Sequence, residues 1–559
     1  MTQNRQHSAN NRSRSMKDML CWIGLLAAIG LTAPTAAADS CSNLANLTLP
    51  NTTITTAESV TGGSFTPPGS STPMTNLPDF CRVAAFATPT SDSHIQFEVW
   101  IPESGWNGKY LQVGCGGFCG NIGYSVMADP LRRDYAVAAT DDGHEASGID
   151  ASWAVGHPQK VIDFAYRSLK VTTDNAKAII AAFESSHPTR SYFFGCSDGG
   201  REALMEAQRY PHDFDGIIVG SPANAWTRLM TGFVWDERAL TKTPDSALTQ
   251  SDLNILASAV LAKCAGHDGG LATDQFLNNP PACHFNPETL LCAGTRTSNC
   301  LSQVKVSAAK KIYSGPPGIF PGYVGNEGTE AEFVDWPLWI TGNGTAAMGL
   351  QEFFGNSFFA NMVFPNSGWT PTSKTIIEDV RAADETMSIL NSDDPDLNPF
   401  RARAGKMIQY AGWSDSAISP QYDIIYYRSV MQAVGGLAET QEFYRLFMAP
   451  GMAHCGGGPG ANAFGNIFGL NGPNPSDPSE DVLSALDQWV EQGIAPHRII
   501  ATKYVNDDPA SGIAFQRPLC AFPQIAEYSG SGDPTKADNW VCRAEVTDTE
   551  TTGILGTAD

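Results

Sequence analysis

The hexapeptide Gly195-Cys196-Ser197-Asp198-Gly199-Gly200 constrains this chain more than any other feature. Before it runs Ser191-Tyr-Phe-Phe, an apolar stretch suited to a buried strand. After it comes Arg201-Glu-Ala-Leu-Met-Glu-Ala-Gln-Arg, built of strong helix formers. A strand that turns into a helix within so few residues needs small side chains on both sides, because the two elements pass close together. The G-x-S-x-G pattern then holds the serine on a strained turn at the edge of a sheet, beside the first N–H groups of the helix. Ser197 is therefore a candidate nucleophile; the alternative is an ordinary glycine-rich turn.

The flanking sequence predicts the sheet. Apolar runs at 95–101, 110–114, 135–140 and 191–195 alternate with a helical stretch over 158–184. The pattern resumes late, with strands over 406–412 and 444–450, a helix over 420–435 and an amphipathic helix over 481–493. Strand–helix alternation of this kind predicts an α/β fold with a mostly parallel sheet. Residues 223–386 differ, being loop-rich, with four cysteines and many aromatics. They read as an insertion between two halves of one sheet, giving a core of 39–222 and 387–559 with a lid over 223–386. Residues 53–78 read as an ordered coil on the surface.

The first 38 residues resemble a signal peptide. Arg5, Arg12, Arg14 and Lys17 precede an apolar run from Met19 to Thr32, and Ala36-Ala37-Ala38 offers a cleavage site. That run is short for a membrane span, which needs about 20 residues. Removal takes away four basic residues and Asp18, moving the net charge from −23 to −26. So acidic a chain disfavours nucleic acid and anionic membranes as partners. Twelve cysteines remain of 13 once Cys21 is removed, an even number that reads as a disulfide framework in a secreted or periplasmic protein.

A nucleophilic serine needs a base, and the base needs an orienting acid. With a nucleophile on a strand-to-helix elbow the chain order is serine, acid, histidine. His454 follows the strand over 444–450 in the flexible loop Gly451-Met-Ala-His-Cys-Gly-Gly-Gly, at the sheet edge where the base belongs. The other histidines lack such a setting and read as capping or surface residues. Asp415, in Gly412-Trp-Ser-Asp after the strand over 406–412, is the best acid; Asp393, Asp394 and Asp396 crowd a turn and read as solvated. Cys196 precedes the serine and Cys455 follows the histidine. A bond between them would place Ser197 beside His454 across 257 positions, and two unrelated cysteines are the alternative.

The constellation Cys196-Ser197, Asp415 and His454-Cys455 resembles the tannase and feruloyl esterase family. So do Arg201-Glu-Ala, Arg209-Tyr-Pro, Asp213-Phe-Asp-Gly-Ile, Ala411-Gly-Trp-Ser-Asp and Pro450-Gly-Met-Ala-His-Cys-Gly-Gly-Gly, so the likeness runs over essentially the whole mature chain. It implies an α/β-hydrolase core with a large inserted lid, and hydrolysis of esters of aromatic acids such as ferulate or gallate, with a small aromatic ester as the only partner. The family also contains the hydrolase of mono(2-hydroxyethyl) terephthalate.

Further residues follow from the resemblance. The backbone amide of Asp198 and one at Gly116 or Gly117 would form the oxyanion hole. The remaining pairings implied are 41–81, 264–283, 292–300 and 520–542, while Cys115 and Cys119 fall outside the family pattern and either pair or stay reduced. Phe364, Ala360 and Ile418 would line the substrate pocket, and the lid aromatics Trp336, Trp339, Phe353, Phe354, Phe358 and Phe359 would stack the acyl ring. Ala360 stands where the terephthalate branch has an arginine, so that half-ester should be a poor substrate. The chemistry requires no cofactor. Family members often hold calcium in the lid; here Cys264 is followed by Ala265, and Asp268 and Asp274 are the remaining candidate ligands. Three other readings stay open: a tannase acting on gallate esters, the terephthalate half-ester hydrolase, and a non-catalytic relative that binds polyphenol or carbohydrate.

Overall fold

The computed structural model describes residues 40–294, 299–323, 328–342 and 349–544. The leader expected over 1–38 lies outside them. Nine strands form one sheet: β1 (Thr52–Val60), β2 (Phe80–Ala87), β3 (Ile95–Pro102), β4 (Lys109–Val113), β5 (Ala136–Thr140), β6 (Arg190–Cys196), β7 (Gly216–Gly220), β8 (Lys406–Gly412) and β9 (Tyr444–Ala449). Their spatial order is β1-β2-β3-β5-β4-β6-β7-β8-β9. The first three and β5 pair antiparallel. From β5 to β9 every pairing is parallel.

Buried on both faces, the parallel strands read as continuous apolar runs; Ala136–Thr140 and Gly216–Gly220 are buried at every position. Successive side chains serve opposite faces. Phe193 joins the layer formed by α2 (Ser168–Glu184), α3 (Asp198–Arg209) and α9 (Pro420–Val434). Tyr192 and Phe194 join the layer of α1 (Tyr124–Arg132) and α10 (Val482–Gln492). The last of these helices starts where Asp481 accepts the N–H of Ser484 at 2.7 Å and stops at Gly493, with φ 72°.

Between β7 and β8 the described residues contribute no strand to any sheet. They carry α4 (Trp226–Leu240), α5 (Gln250–Cys264), α6 (Gln303–Ser314), α7 (Leu350–Phe358) and α8 (Ile376–Met387). The outer helices α5 and α6 enclose a small core of their own. The inner ones share a cluster with the loops at the C-terminal ends of the strands, in which Phe354 and Phe358 meet Phe118, Ala417 and Ile418.

Two regions differ from the expectation. Of the segment 53–78, expected as coil, β1 (Thr52–Val60) covers the start and forms the sheet edge, making with β2 an antiparallel edge that the sequence did not suggest. Beyond α10 come two hairpins, Arg498–Tyr504 with Ile513–Cys520 and Gln524–Tyr528 with Trp540–Ala544, pinned by the Cys520–Cys542 disulfide. Among the described residues no helix is long and apolar enough to cross a membrane.

Gly412, the last residue of β8, marks the tightest contact between the two loops that follow β8 and β9. A Cβ there would overlap the carbonyl oxygen of Met452 and lie 2.8 Å from that of Ala453. Gly412→Ala should cost roughly 1–3 kcal/mol, seen as a lower Tm in a thermal scan with the secondary structure unchanged by circular dichroism.

Candidate active site

Ser197 lies between β6 and α3 with φ 66° and ψ −122°, outside the regions an ordinary side chain prefers. The turn is held from several sides. Its N–H donates to the carbonyl of Gly220 at 3.0 Å, and its carbonyl accepts from Gly200, Arg201 and Ala223. A Cβ on Gly195 would overlap the carbonyl of Gly199, and one on Gly199 would come 2.8 Å from that of Cys115. The glycines flanking the serine are therefore steric requirements of the turn.

Asp415 and His454 come together across the ends of β8 and β9. His454 Nδ1 lies 2.8 Å from Asp415 Oδ2. The other carboxylate oxygen accepts the N–H groups of Ala417 and Ile418, each at 2.9 Å, so the aspartate is fixed on both sides. It is buried, while the imidazole keeps a small exposed area. The Cys196–Cys455 disulfide holds its Cα atoms 6.0 Å apart. With one residue step of about 3.8 Å on each side, the Cα atoms of Ser197 and His454 lie within roughly 14 Å of each other.

Among the described residues, three N–H groups near the serine have no hydrogen-bond acceptor: those of Asp198, Gly116 and Gly117. Gly117 has φ 64°, and a Cβ there would overlap the carbonyl of Gly148; Gly116 faces open space. Their loop is closed by a Cys115–Cys119 disulfide. The buried side chain of Asp198 pairs with Arg201 and also touches the sulfurs of that disulfide. The five disulfides implied by the resemblance are all present, so Cys115–Cys119 makes six.

The lid aromatics divide. Trp339 meets the His454 ring edge to face at 5.0 Å and stacks on Phe354, which reaches Phe118. Trp336, Phe358 and Phe359 are core residues, and Phe353 is 49% exposed. Ala360, Phe364 and Ile418 all belong to the aromatic cluster above the site. The Phe364 ring is already stacked with Phe359 and Trp369 and covered by the Lys374 amine at 5.1 Å. A cavity of about 960 Å³ lined by Val113, Phe194, Ile467, Phe468 and Tyr504 opens on the α1 side, and neither Ser197, Asp415 nor His454 lines it.

Direct ties between lid and acid loop were missed by the sequence reading. Tyr323 donates to the carbonyl of Ala417 at 3.0 Å and Gln351 to that of Ser416 at 2.8 Å; Ser419 donates to the carbonyl of Gly322 at 2.7 Å. The calcium ligands expected from the resemblance do not fit that ion. Asp268 accepts the N–H groups of Gly270, Asn278 and Asn279, and Asp274 faces the guanidinium of Arg517 at 3.5 Å. Two carboxylates already engaged, one by a cation, fall short of the six to eight oxygens calcium takes.

Six parallel strands, with a serine turn after one and an Asp–His pair bridging the last two, define a protein of α/β-hydrolase type. Residues 81–543 match the family model described as Tannase and feruloyl esterase. The chain is 43% identical over 551 residues to an "Uncharacterized esterase" of Xanthomonas campestris pv. campestris, covering 92% of this chain and 93% of that one. It is 31% identical over 520 residues to "Probable feruloyl esterase B-2" of Aspergillus terreus, covering 90% and 94%. Feruloyl esterase B from Aspergillus oryzae superposes with a TM-score of 0.81 at 27% identity, covering 90% of this chain and 99% of that one. The tannin acyl hydrolase of Aspergillus niger shares the fold, with a TM-score of 0.68 at 22% identity over 90% and 94%. The chain belongs to the tannase and feruloyl esterase family and is a carboxylic ester hydrolase.

The Cys196–Cys455 bond closes a loop of 259 residues. Replacing both cysteines by serine should cost about 2–5 kcal/mol and lower kcat for p-nitrophenyl butyrate about tenfold or more through loss of alignment. Calorimetry and initial rates on the purified variant check both.

Proposed function

We propose that this enzyme is a secreted serine esterase that cleaves esters of aromatic acids of the hydroxycinnamic, feruloyl type. The observation that carries the reading is the Asp415–His454 pair tethered through Cys455 to the residue before Ser197. The hydroxyl of Ser197 attacks the ester carbonyl while the free imidazole nitrogen of His454 takes its proton. Asp415, bonded to the other nitrogen, selects the tautomer and stabilises the imidazolium. The N–H groups of Asp198 and of the Gly116–Gly117 turn receive the developing oxyanion. The proton returns to the leaving alcohol, leaving an acyl-enzyme. Water, deprotonated by the same histidine, then releases the acid and restores the serine. No cofactor enters these steps.

The inserted segment 223–386 acts as the lid, and Trp339 and Phe354 are its residues best placed to meet an aromatic acyl group. Feruloyl rather than galloyl esters are favoured because the relatives named feruloyl esterase B share more identity with this chain than the tannin acyl hydrolase does. Export, with loss of residues 1–38, accords with the six disulfides.

Initial rates on methyl ferulate, methyl gallate, the terephthalate half-ester and p-nitrophenyl butyrate test the proposal, each with wild type and Ser197→Ala. Methyl ferulate is expected to lead, and Ser197→Ala to fall by about 10⁴-fold or more in kcat while staying folded. A lead for methyl gallate would make the enzyme a tannase, and a lead for the half-ester would refute the argument from Ala360. Undiminished turnover by Ser197→Ala would remove the serine mechanism.

A further inference from the structure

Beneath the serine turn lies a sealed polar cluster that the reaction as written does not use. Asp142, Asp198, Arg201 and Glu202 are all buried there against Cys115 and Cys119. Arg201 pairs with Asp198 and donates to the carbonyls of Phe164 and Ala165, each at 3.0 Å, with its guanidinium stacked over Phe164. Glu202, one helical turn beyond Asp198, has no such cation. It faces the loop instead: its Oε2 accepts the N–H of Cys115 at 3.2 Å. One oxygen of its carboxyl lies within 4.8 Å of one of Asp142, which accepts the Ser168 hydroxyl at 2.9 Å.

Resting on the reading of Ser197 as nucleophile, we infer that Glu202 is a positioning residue for the reaction: it ties the 114–119 loop to the nucleophile helix, so that both oxyanion donors keep a fixed spacing. The donors come from separate parts of the chain, Asp198 from α3 and Gly116 or Gly117 from the loop after β4. Two hydrogen bonds at the Cys115 peptide groups bridge them. Its carbonyl accepts the N–H of Gly199 at 3.0 Å, and its N–H donates to Glu202. The neighbouring residue leaves no slack, since a Cβ on Gly114 would come 2.5 Å from Glu202 Oε2 and 2.6 Å from the Gly199 Cα. The disulfide ties Cys115 to Cys119, so an anchor on Cys115 holds the whole turn.

The chemistry of the anchor follows from its surroundings. Burial holds the Glu202 carboxyl well above the usual carboxylate range, and the Asp142 and Asp198 carboxylates raise it further. In its neutral form the Glu202 carboxyl would accept from Cys115 with one oxygen and donate from the other toward Asp142. A glutamine has the same length and the same one-acceptor, one-donor arrangement. A methionine fills the space and offers neither.

The experiment compares Glu202→Gln and Glu202→Met with wild type in kcat and KM for methyl ferulate, in the rate of labelling by a fluorophosphonate, and in Tm. Glu202→Gln is expected to stay within about threefold of wild type in kcat. Glu202→Met should lose about 10–100-fold in kcat and in labelling rate with KM within about twofold, as for a displaced oxyanion donor. If Glu202→Met does not fold, Glu202→Asp, which retracts the acceptor by one methylene, should show about a tenfold loss. A packing role alone would move Tm and leave kcat in place. Wild-type kcat in a folded Glu202→Met or Glu202→Asp, or equal losses in the glutamine and methionine variants, would overturn the inference. Failure of the underlying reading looks different: wild type itself would resist the phosphonate, or Ser197→Ala would still turn over.

Discussion

The site depends first on a close approach of backbones. The end of β6, the first turn of α3 and the loops after β4 and β7 meet around Ser197 with no room for a side chain at Gly114, Gly195, Gly199 or Gly200. A non-glycine residue with positive φ costs of order 1–3 kcal/mol. Here four hydrogen bonds to the Ser197 peptide groups, from and to α3, Gly220 and Ala223, leave the chain no other conformation. Strain at the serine is thereby held by the sheet itself. Among the described residues the N–H groups of Asp198, Gly116 and Gly117 are left without acceptors, as the proposed oxyanion hole calls for.

The insertion is part of that site rather than a cover added to it. The loop carrying Asp415 hydrogen-bonds with Gly322, Tyr323 and Gln351, and the imidazole of His454 packs on Trp339. Packed this way, the inserted segment screens the Asp–His pair from solvent, and low local dielectric strengthens the bond between them. Its two halves do different jobs. The helices near the sheet share the aromatic cluster with Phe118 and Ile418, whereas α5 and α6 keep a separate core. Changes of substrate preference should then arise mainly from the first group, which packs against Phe118 and Ile418.

Local patterns revealed the parallel half of the sheet and the serine turn because each is written in a few consecutive residues. Lys406–Gly412 begins and ends where the apolar run does. The antiparallel edge was hidden for a physical reason. An edge strand has one exposed side, and Thr52–Val60 fills it with threonine, serine and glutamate, a composition that also suits coil. The partners of Asp274 and Glu202 were equally unreadable. Arg517 reaches Asp274 from 243 positions downstream, and Cys115 meets Glu202 from 87 positions upstream. Among the lid aromatics, composition could not separate Trp339, against the histidine, from Phe353, which faces solvent. That choice is made by packing, not by periodicity.

Electrostatics impose one more condition on the serine turn. The proposed oxyanion donor at position 198 belongs to an aspartate, and an unpaired carboxylate near a developing negative charge would oppose it by about 4 kcal/mol at 4 Å in a medium of effective dielectric 20. Burial alone pushes the Asp198 carboxyl upward, while the Arg201 guanidinium opposes that shift. The arginine therefore does two things at once: it allows the charge to be buried, and it cancels the field that charge would send toward the serine. Its own surroundings suit that role, since carbonyls of Phe164 and Ala165 take its remaining protons and the Phe164 and Trp226 rings flank it. Among the described residues no second cation pairs with Glu202, and burial together with the Asp142 and Asp198 carboxylates holds its carboxyl above the usual range. The Asp198–Arg201 pair and the contact of Glu202 with Cys115 thus place three buried carboxyl groups, with Asp142, behind the serine turn.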